Sequence, residues 1–179
     1  MHQEIDRKRA EEVFNQYSTY VFRIALLLTK SASLADDVTQ ETFLKVFKNI
    51  HNYDCTKPMQ PWIYRITVNT TRNLLRKHKW LSFVGFTPDV QREFTSVEDS
   101  IIQSVENEEL LKEVNMLPLK GREVIVLHYY VGLKLAEIAE TLQIPLGTCK
   151  SRLNAALKIL RKQLPHNEMF SSLKGGEMV

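Results

Sequence analysis

LAEIAETLQIPLGTCKSRLNAALKILRKQL, running from Leu135 to Leu164, is the stretch on which the reading of this chain turns. Leu135, Ile138, Ala139 and Leu142 recur at helical spacing, and the pattern breaks at Ile144 and Pro145. It resumes at once, because Leu146, Cys149, Leu153, Ala156, Leu157, Leu160 and Leu164 fall on one stripe of a second helix. Proline suits the first turn of that helix: its φ is already helical, and the N–H it lacks would be unpaired there anyway. A short helix, a sharp turn and a longer helix predict a helix-turn-helix.

The polar positions of the second helix suggest what it meets. At about 100° per residue, Gly147, Lys150, Ser151, Asn154, Lys158 and Arg161 lie away from the leucine stripe. No acidic residue occurs between Pro145 and Pro165. Lys donates to guanine acceptors, Asn pairs with adenine and Ser does either, while cations further along neutralise phosphates. Lys150, Ser151 and Asn154, on the N-terminal half, are therefore expected at base edges, with Lys158 and Arg161 nearer the backbone. Thr148 and Arg152 are more lateral and are assigned to phosphates. The alternative is a solvated basic face on an ordinary helix hairpin.

The longer segment LPLKGREVIVLHYYVGLKLAEIAETLQIPLGTCKSRLNAALKILRKQL resembles the promoter-reading C-terminal domain of the extracytoplasmic-function sigma factors. The resemblance is carried by Leu117-Pro118, Arg122-Glu123-Val124, the Gly132 turn, Glu137-Ile138-Ala139-Glu140 and Gly147 through Leu153. It implies that this helix reads minus-thirty-five DNA. Two positions depart from the family. Gln143 stands where glycine is usual, so a left-handed turn there costs up to about 1 kcal/mol. Cys149 stands where valine is usual, a small apolar exchange.

Composition points the same way. A chain of 179 residues, 44% hydrophobic, with only six Gly and six Pro, has material for sizeable cores dominated by helices. MHQEIDRKRAEE has no apolar core of the signal-peptide kind, and the apolar run Ile24 to Leu28 is too short to span a bilayer. A cytoplasmic protein that inserts in no membrane is expected. Cys55 and Cys149 are too few for a disulfide framework or zinc site. His2, His51, His78, His128 and His166 stand apart without ligand spacing, and no phosphate loop or nucleophile motif occurs. No enzymatic activity, metal or cofactor is expected.

Charge is distributed unevenly behind a net +3. Pro61 to Trp80 carries +5 from Arg65, Arg72, Arg76, Lys77 and Lys79 without one acid. Leu81 to Asn115 carries −6, and Met116 to Leu164 returns to +5. Two basic blocks about an acidic connector suggest two nucleic-acid contacts joined by a segment that avoids DNA, with chance clustering as the alternative. Residues 83–104 are read as that linker.

The N-terminal part reads as helices. Glu4 to Lys30 places Val13, Phe14, Tyr17, Val21, Ile24, Ala25 and Leu28 on one face, and Ser31 or Ser33 is placed to cap the next helix, with Asp36 and Asp37 in its first turn. On that helix Leu34, Val38, Val46 and Ile50 form one face, and Asp37, Gln40, Glu41 and Leu44 another. Acid, amide and leucine on one stripe suit a partner helix; a solvated face with a stray leucine is the alternative. ADDVTQETFLKVF resembles the sigma family's polymerase-binding helix, which implies that the stripe grips the clamp coiled coil of core RNA polymerase.

After a loop from Tyr53 to Gln60, a helix starting at Pro61 carries Arg65, Asn69, Arg72, Arg76 and Lys79 at steps of 4, 3, 4 and 3, with Ile63, Ile66, Thr70 and Leu74 on another side. Such a stripe holds phosphates while its asparagine reads a base. PWIYRITVNTTRNLLRKHKW resembles the family's minus-ten region, where a base is extruded into a pocket made by the preceding loop. That implies DNA contacts from Lys57, Arg65, Asn69, Arg72, Asn73 and Arg76. Trp62 and Trp80 offer stacking surfaces, but a tryptophan beside an apolar face is more often core.

The expectation is therefore all-α: a helical domain over residues 1–82, a flexible acidic linker over 83–104, a helix-turn-helix domain over 105–165 and a tail over 166–179. The family resemblance implies an alternative sigma factor acting with core RNA polymerase on double-stranded and locally melted promoter DNA. It further implies an anti-sigma factor, often membrane-bound, as partner. A stand-alone dimeric helix-turn-helix regulator is the rival reading, and an adaptor built from two helical bundles is another. Both leave one or more of the stripes unexplained.

Overall fold

A computed structural model describes residues 7–83 and 108–164, and every described element is helical. The chain divides into two compact units. The first holds α1 (Arg7–Thr29), α2 (Ala32–Asn49), a single 3₁₀ turn (Ile50–Asn52) and α3 (Met59–Phe83), with each of the three long helices packed on the other two. Residues 84–107, which include almost all of the expected linker, and the tail from 165 onward lie outside the described residues.

The periodicity of the sequence explains the three-helix core. Val21, Ile24, Ala25 and Leu28 from α1, Leu34, Ala35, Val38 and Val46 from α2, and Ile63, Tyr64 and Val68 from α3 are buried. Leu74 packs beside Ala25, Leu26, Ala35 and Val38. Threonine enters this core because it satisfies itself: Thr67 and Thr71 donate to the carbonyls of Ile63 and Thr67, each at 2.9 Å. α1 ends at Lys30, whose φ of 62° turns the chain, and Ser31 caps α2 by accepting from the Leu34 amide at 3.3 Å.

Several expectations are corrected here. Phe14 is not core: it stays 43% exposed with its ring on Phe43 at 4.8 Å. Because Ser31 rather than Ser33 is the cap, Asp36 and Asp37 lie beyond the first turn of α2. α3 starts at Met59, two residues ahead of Pro61, which the first turn tolerates because its N–H would have no helical partner there.

In the second unit α4 (Glu108–Met116) leads to α5 (Leu119–Ile125), and α7 (Leu146–Gln163) packs against both. Gly121 is a close approach in that packing, since a Cβ there would meet the Ala156 Cβ at 3.2 Å. Arg122 is buried and donates to the Asn115 carbonyl at 3.0 Å, tying α5 to the end of α4; burial lowers its pKa while the neighbouring Glu123 opposes that shift. α5 then widens into a π-helical turn over Val126–Tyr130, closed by the Val131 amide on the Val126 carbonyl at 3.0 Å. Gly132, at φ 81°, ends it.

The predicted helix-turn-helix is present as α6 (Leu135–Leu142) and α7. Glu137 accepts from the Lys134 amide at 2.7 Å, the reach-back half of a capping box. The turn passes through Gln143 at φ 54°, so this glutamine does adopt the left-handed backbone for which glycine is suited. Cys149, Leu153, Ala156, Leu157, Leu160 and Leu164 are buried as expected. Leu146 is not: it opens the helix at 42% exposure, one residue after Pro145, where no helical turn precedes it to cover the side chain.

Candidate nucleic-acid and partner interfaces

α2 presents its mixed stripe to solvent. Asp37, Gln40, Glu41 and Leu44 are all exposed, while Leu34, Val38, Thr42 and Val46 turn inward, so one helix carries two separate faces. Leu44 is 66% exposed. The stripe is braced from one side: Lys45 pairs with Glu41 at 3.1 Å and donates to the Thr70 hydroxyl of α3 at 3.2 Å. Sequence reasoning missed that brace, although the i,i+4 spacing of Glu41 and Lys45 was a visible signal for half of it.

α3 bears no Asp or Glu, and its cationic side shades from half-buried to exposed along the helix. Arg65, Asn69 and Arg72 are half-buried; Asn73 and Arg76 are exposed, with Arg76 donating to the Asn73 side-chain oxygen at 2.5 Å. The Asn73 side-chain oxygen is thereby engaged. The preceding loop is built rather than loose. Asp54 accepts from the Thr56 amide at 3.1 Å and hydroxyl at 2.7 Å, and these bonds hold its carboxyl below the ordinary range. Tyr53 donates to the Lys57 carbonyl and lays its ring on Trp62 at 5.2 Å. Burial raises the Tyr53 pKa. Lys57 is exposed at the rim of this loop.

Trp62 therefore serves the loop, as the structural reading of that tryptophan expects. Trp80 does not follow the same rule. It is 63% exposed, and the expectation that it is core is overturned.

On α7 the outward residues fall where the helical period puts them. Gly147, Ser151, Asn154, Lys158 and Arg161 are exposed and Lys150 is half-buried. Thr148 and Arg152 are half-buried at the flanks, and one Arg152 guanidinium nitrogen is enclosed against the protein. Ser151 donates to the Thr148 carbonyl at 3.0 Å, leaving its oxygen lone pairs outward. No atom lies within 4 Å of a Cβ built on Gly147, so nothing inside the protein requires glycine there. On the inner face, burial pushes the Cys149 thiol up, with Arg152 opposing.

Two helical units in this order along the chain match a known arrangement. The sigma-70 region 2 profile matches residues 13–81 and the sigma-70 region 4 profile matches residues 107–160. The ECF RNA polymerase sigma factor SigW of Bacillus subtilis strain 168 is 30% identical over 169 residues, covering 89% of this chain and 90% of that relative. The chain belongs to the extracytoplasmic-function sigma factors. SigM of the same organism is 31% identical over 156 residues, covering 84% of this sigma factor and 92% of the relative.

Among solved structures, the sigma factor RpoE in complex with the anti-sigma factor NepR from Bartonella quintana shares the fold at a TM-score of 0.72 and 22% identity, covering 88% of this sigma factor and 98% of that chain. As an alternative sigma factor, the protein directs promoter-specific transcription initiation. No described helix of the sigma factor is long and apolar enough to cross a membrane.

Proposed function

We propose that the three surfaces divide the work of initiation. The α2 stripe of Asp37, Gln40, Glu41 and Leu44 grips core RNA polymerase. The α3 stripe of Arg65, Asn69, Arg72, Asn73 and Arg76, with Lys57 on the loop before it, holds the opened minus-ten strand. On α7, Lys150, Ser151 and Asn154 read minus-thirty-five base edges in duplex DNA while Thr148, Arg152 and Lys158 contact phosphates. Residues 1–82 and 105–165 form the two working domains, residues 83–104 connect them, and 166–179 form a tail.

The observation that carries the reading is the exposed stripe on α2, where acid, amide and a leucine at 66% exposure share one face in the mixed pattern that suits a partner helix. An anti-sigma factor that occludes these contacts is the fitting regulator, and action on polymerase and promoter places the protein in the cytoplasm. A stand-alone dimeric regulator leaves the α2 stripe without a purpose.

The test is assembly with core polymerase. The double replacement Gln40→Ala and Leu44→Ala should weaken holoenzyme formation about fivefold to a hundredfold, with an unchanged thermal melt because both side chains are exposed. Undiminished co-purification with core polymerase, or failure of the parent chain to start RNA at any promoter, defeats the proposal.

A further inference from the structure

The first turn of α7 holds two residues to which the division of work above gives no part. Leu146 opens the helix at 42% exposure, and Gly147 beside it is exposed with no atom within 4 Å of a built Cβ. Their place on the helix gives them meaning. Leu146, Lys150 and Asn154 stand four residues apart, so at about 100° per residue they form one ridge, each turned about 40° from the last. A ridge of polar residues thus begins with a leucine. Helical side chains lean toward the N-terminus, so Leu146, with no turn before it, reaches past the end of α7 rather than over a covered surface. That end is the one a recognition helix presents to base edges.

Resting on the minus-thirty-five reading above, we propose that Leu146 reads a thymine by packing on its C5-methyl group in the major groove, and that Gly147 clears the approach. Edge chemistry selects the occupant, because the thymine methyl is the apolar group that base pairs offer in that groove. Lys150 and Asn154 answer to the acceptors and donors beside it. Gly147 supports the same conclusion from a separate observation. Glycine weakens a helix relative to alanine, and the space at this position is empty on the protein side, so the missing side chain serves something outside the fold. A backbone without a Cβ, one residue along from Leu146, lets the first turn sit close enough to the bases for a short aliphatic chain to touch a methyl. The contact favours thymine over cytosine, which lacks that group.

The experiment uses holoenzyme, made with the full chain, on a promoter duplex in which each minus-thirty-five thymine of either strand is replaced in turn by deoxyuridine, which removes the methyl and nothing else. One replacement should weaken binding by the parent about fourfold. Leu146→Ala should bind the unmodified promoter about fourfold more weakly and no longer feel that replacement, whereas Lys150→Ala should still feel it. The parent measurement needs no variant, so it does not depend on how the variants fold. Gly147→Ala should raise the midpoint in urea and yet weaken promoter binding several-fold, opposite signs that a merely structural glycine would not give. Indifference of the parent to every replacement, full sensitivity retained by Leu146→Ala, or parental affinity in Gly147→Ala overturns the proposal. The minus-thirty-five reading then stands if Lys150→Ala loses more on promoter than on unrelated duplex, and equal losses on both overturn the two together.

Discussion

At the scale of single residues, Gln143 and Gly132 sit in the same backbone region and should respond to substitution with opposite signs. Gln143 holds φ 54° with a Cβ, so Gln143→Gly should stabilise the protein by up to about 1 kcal/mol, seen as a higher midpoint in urea. Gly132 holds φ 81° with nothing within 4 Å of a built Cβ, so Gly132→Ala meets no clash and should lose about 1 kcal/mol through the backbone alone. The outward residues of α7 should also separate into two groups. Alanine at Lys150 or Asn154 should cost about 1–3 kcal/mol on the preferred minus-thirty-five duplex and little on unrelated DNA. Lys158→Ala should weaken both and flatten the salt dependence. Binding titrations at two salt concentrations decide this, and equal losses on both duplexes for Lys150→Ala would reduce the face to an electrostatic patch.

At the scale of elements, what could be read from sequence was whatever a helical period fixes by itself. The faces of α2, α3 and α7 follow from spacing alone, so the exposure of Asp37, Gln40, Glu41, Leu44, Asn154 and Lys158 was legible. What depends on a neighbour was not. Phe14 was placed by its period and Trp80 by residue type, but whether a ring is covered depends on what packs over that end of the helix, and past Leu74, which packs on the core, no described side chain of α3 is buried. Leu146 kept the period yet lies at a helix start with no preceding turn. The π-helical turn after Ile125 arises from hydrogen-bond geometry that leaves no periodic trace. For α3 the expected consequence is kinetic. Asn69 lies half-buried between the built loop and Arg72 in sequence, where it would meet a base only once that base has left the stack, so Asn69→Ala should reduce permanganate reactivity of promoter thymines several-fold while closed binding by gel shift stays near the parent value. Normal thymine reactivity would remove Asn69 from strand opening.

At the scale of the whole molecule, the sorting of charge by element is the organising fact. α3 and α7 carry no Asp or Glu, whereas α2 exposes Asp36, Asp37 and Glu41. A phosphate backbone is therefore drawn to the two helices assigned to promoter DNA and repelled from the one assigned to polymerase, which keeps DNA from competing for the α2 stripe. The alternation of basic and acidic blocks was visible in the sequence, but only the helical placement shows that it coincides with separate faces. Within the first unit those faces are not independent. The single ammonium of Lys45 answers to Glu41 on the stripe proposed for polymerase and to Thr70 on the helix proposed for the opened strand. Thermodynamic reciprocity then requires that whatever factor polymerase exerts on strand affinity through this atom, the strand exerts on polymerase affinity in return. The magnitude is modest, about 1 kcal/mol or less for a half-exposed pair. Lys45→Met should bring the two binding events closer to additivity, so that the ratio of open-template affinities measured with and without core polymerase shrinks by up to about fivefold; an unchanged ratio would mean that the shared proton donor transmits nothing, and that the chain commits to polymerase and to promoter as separate decisions.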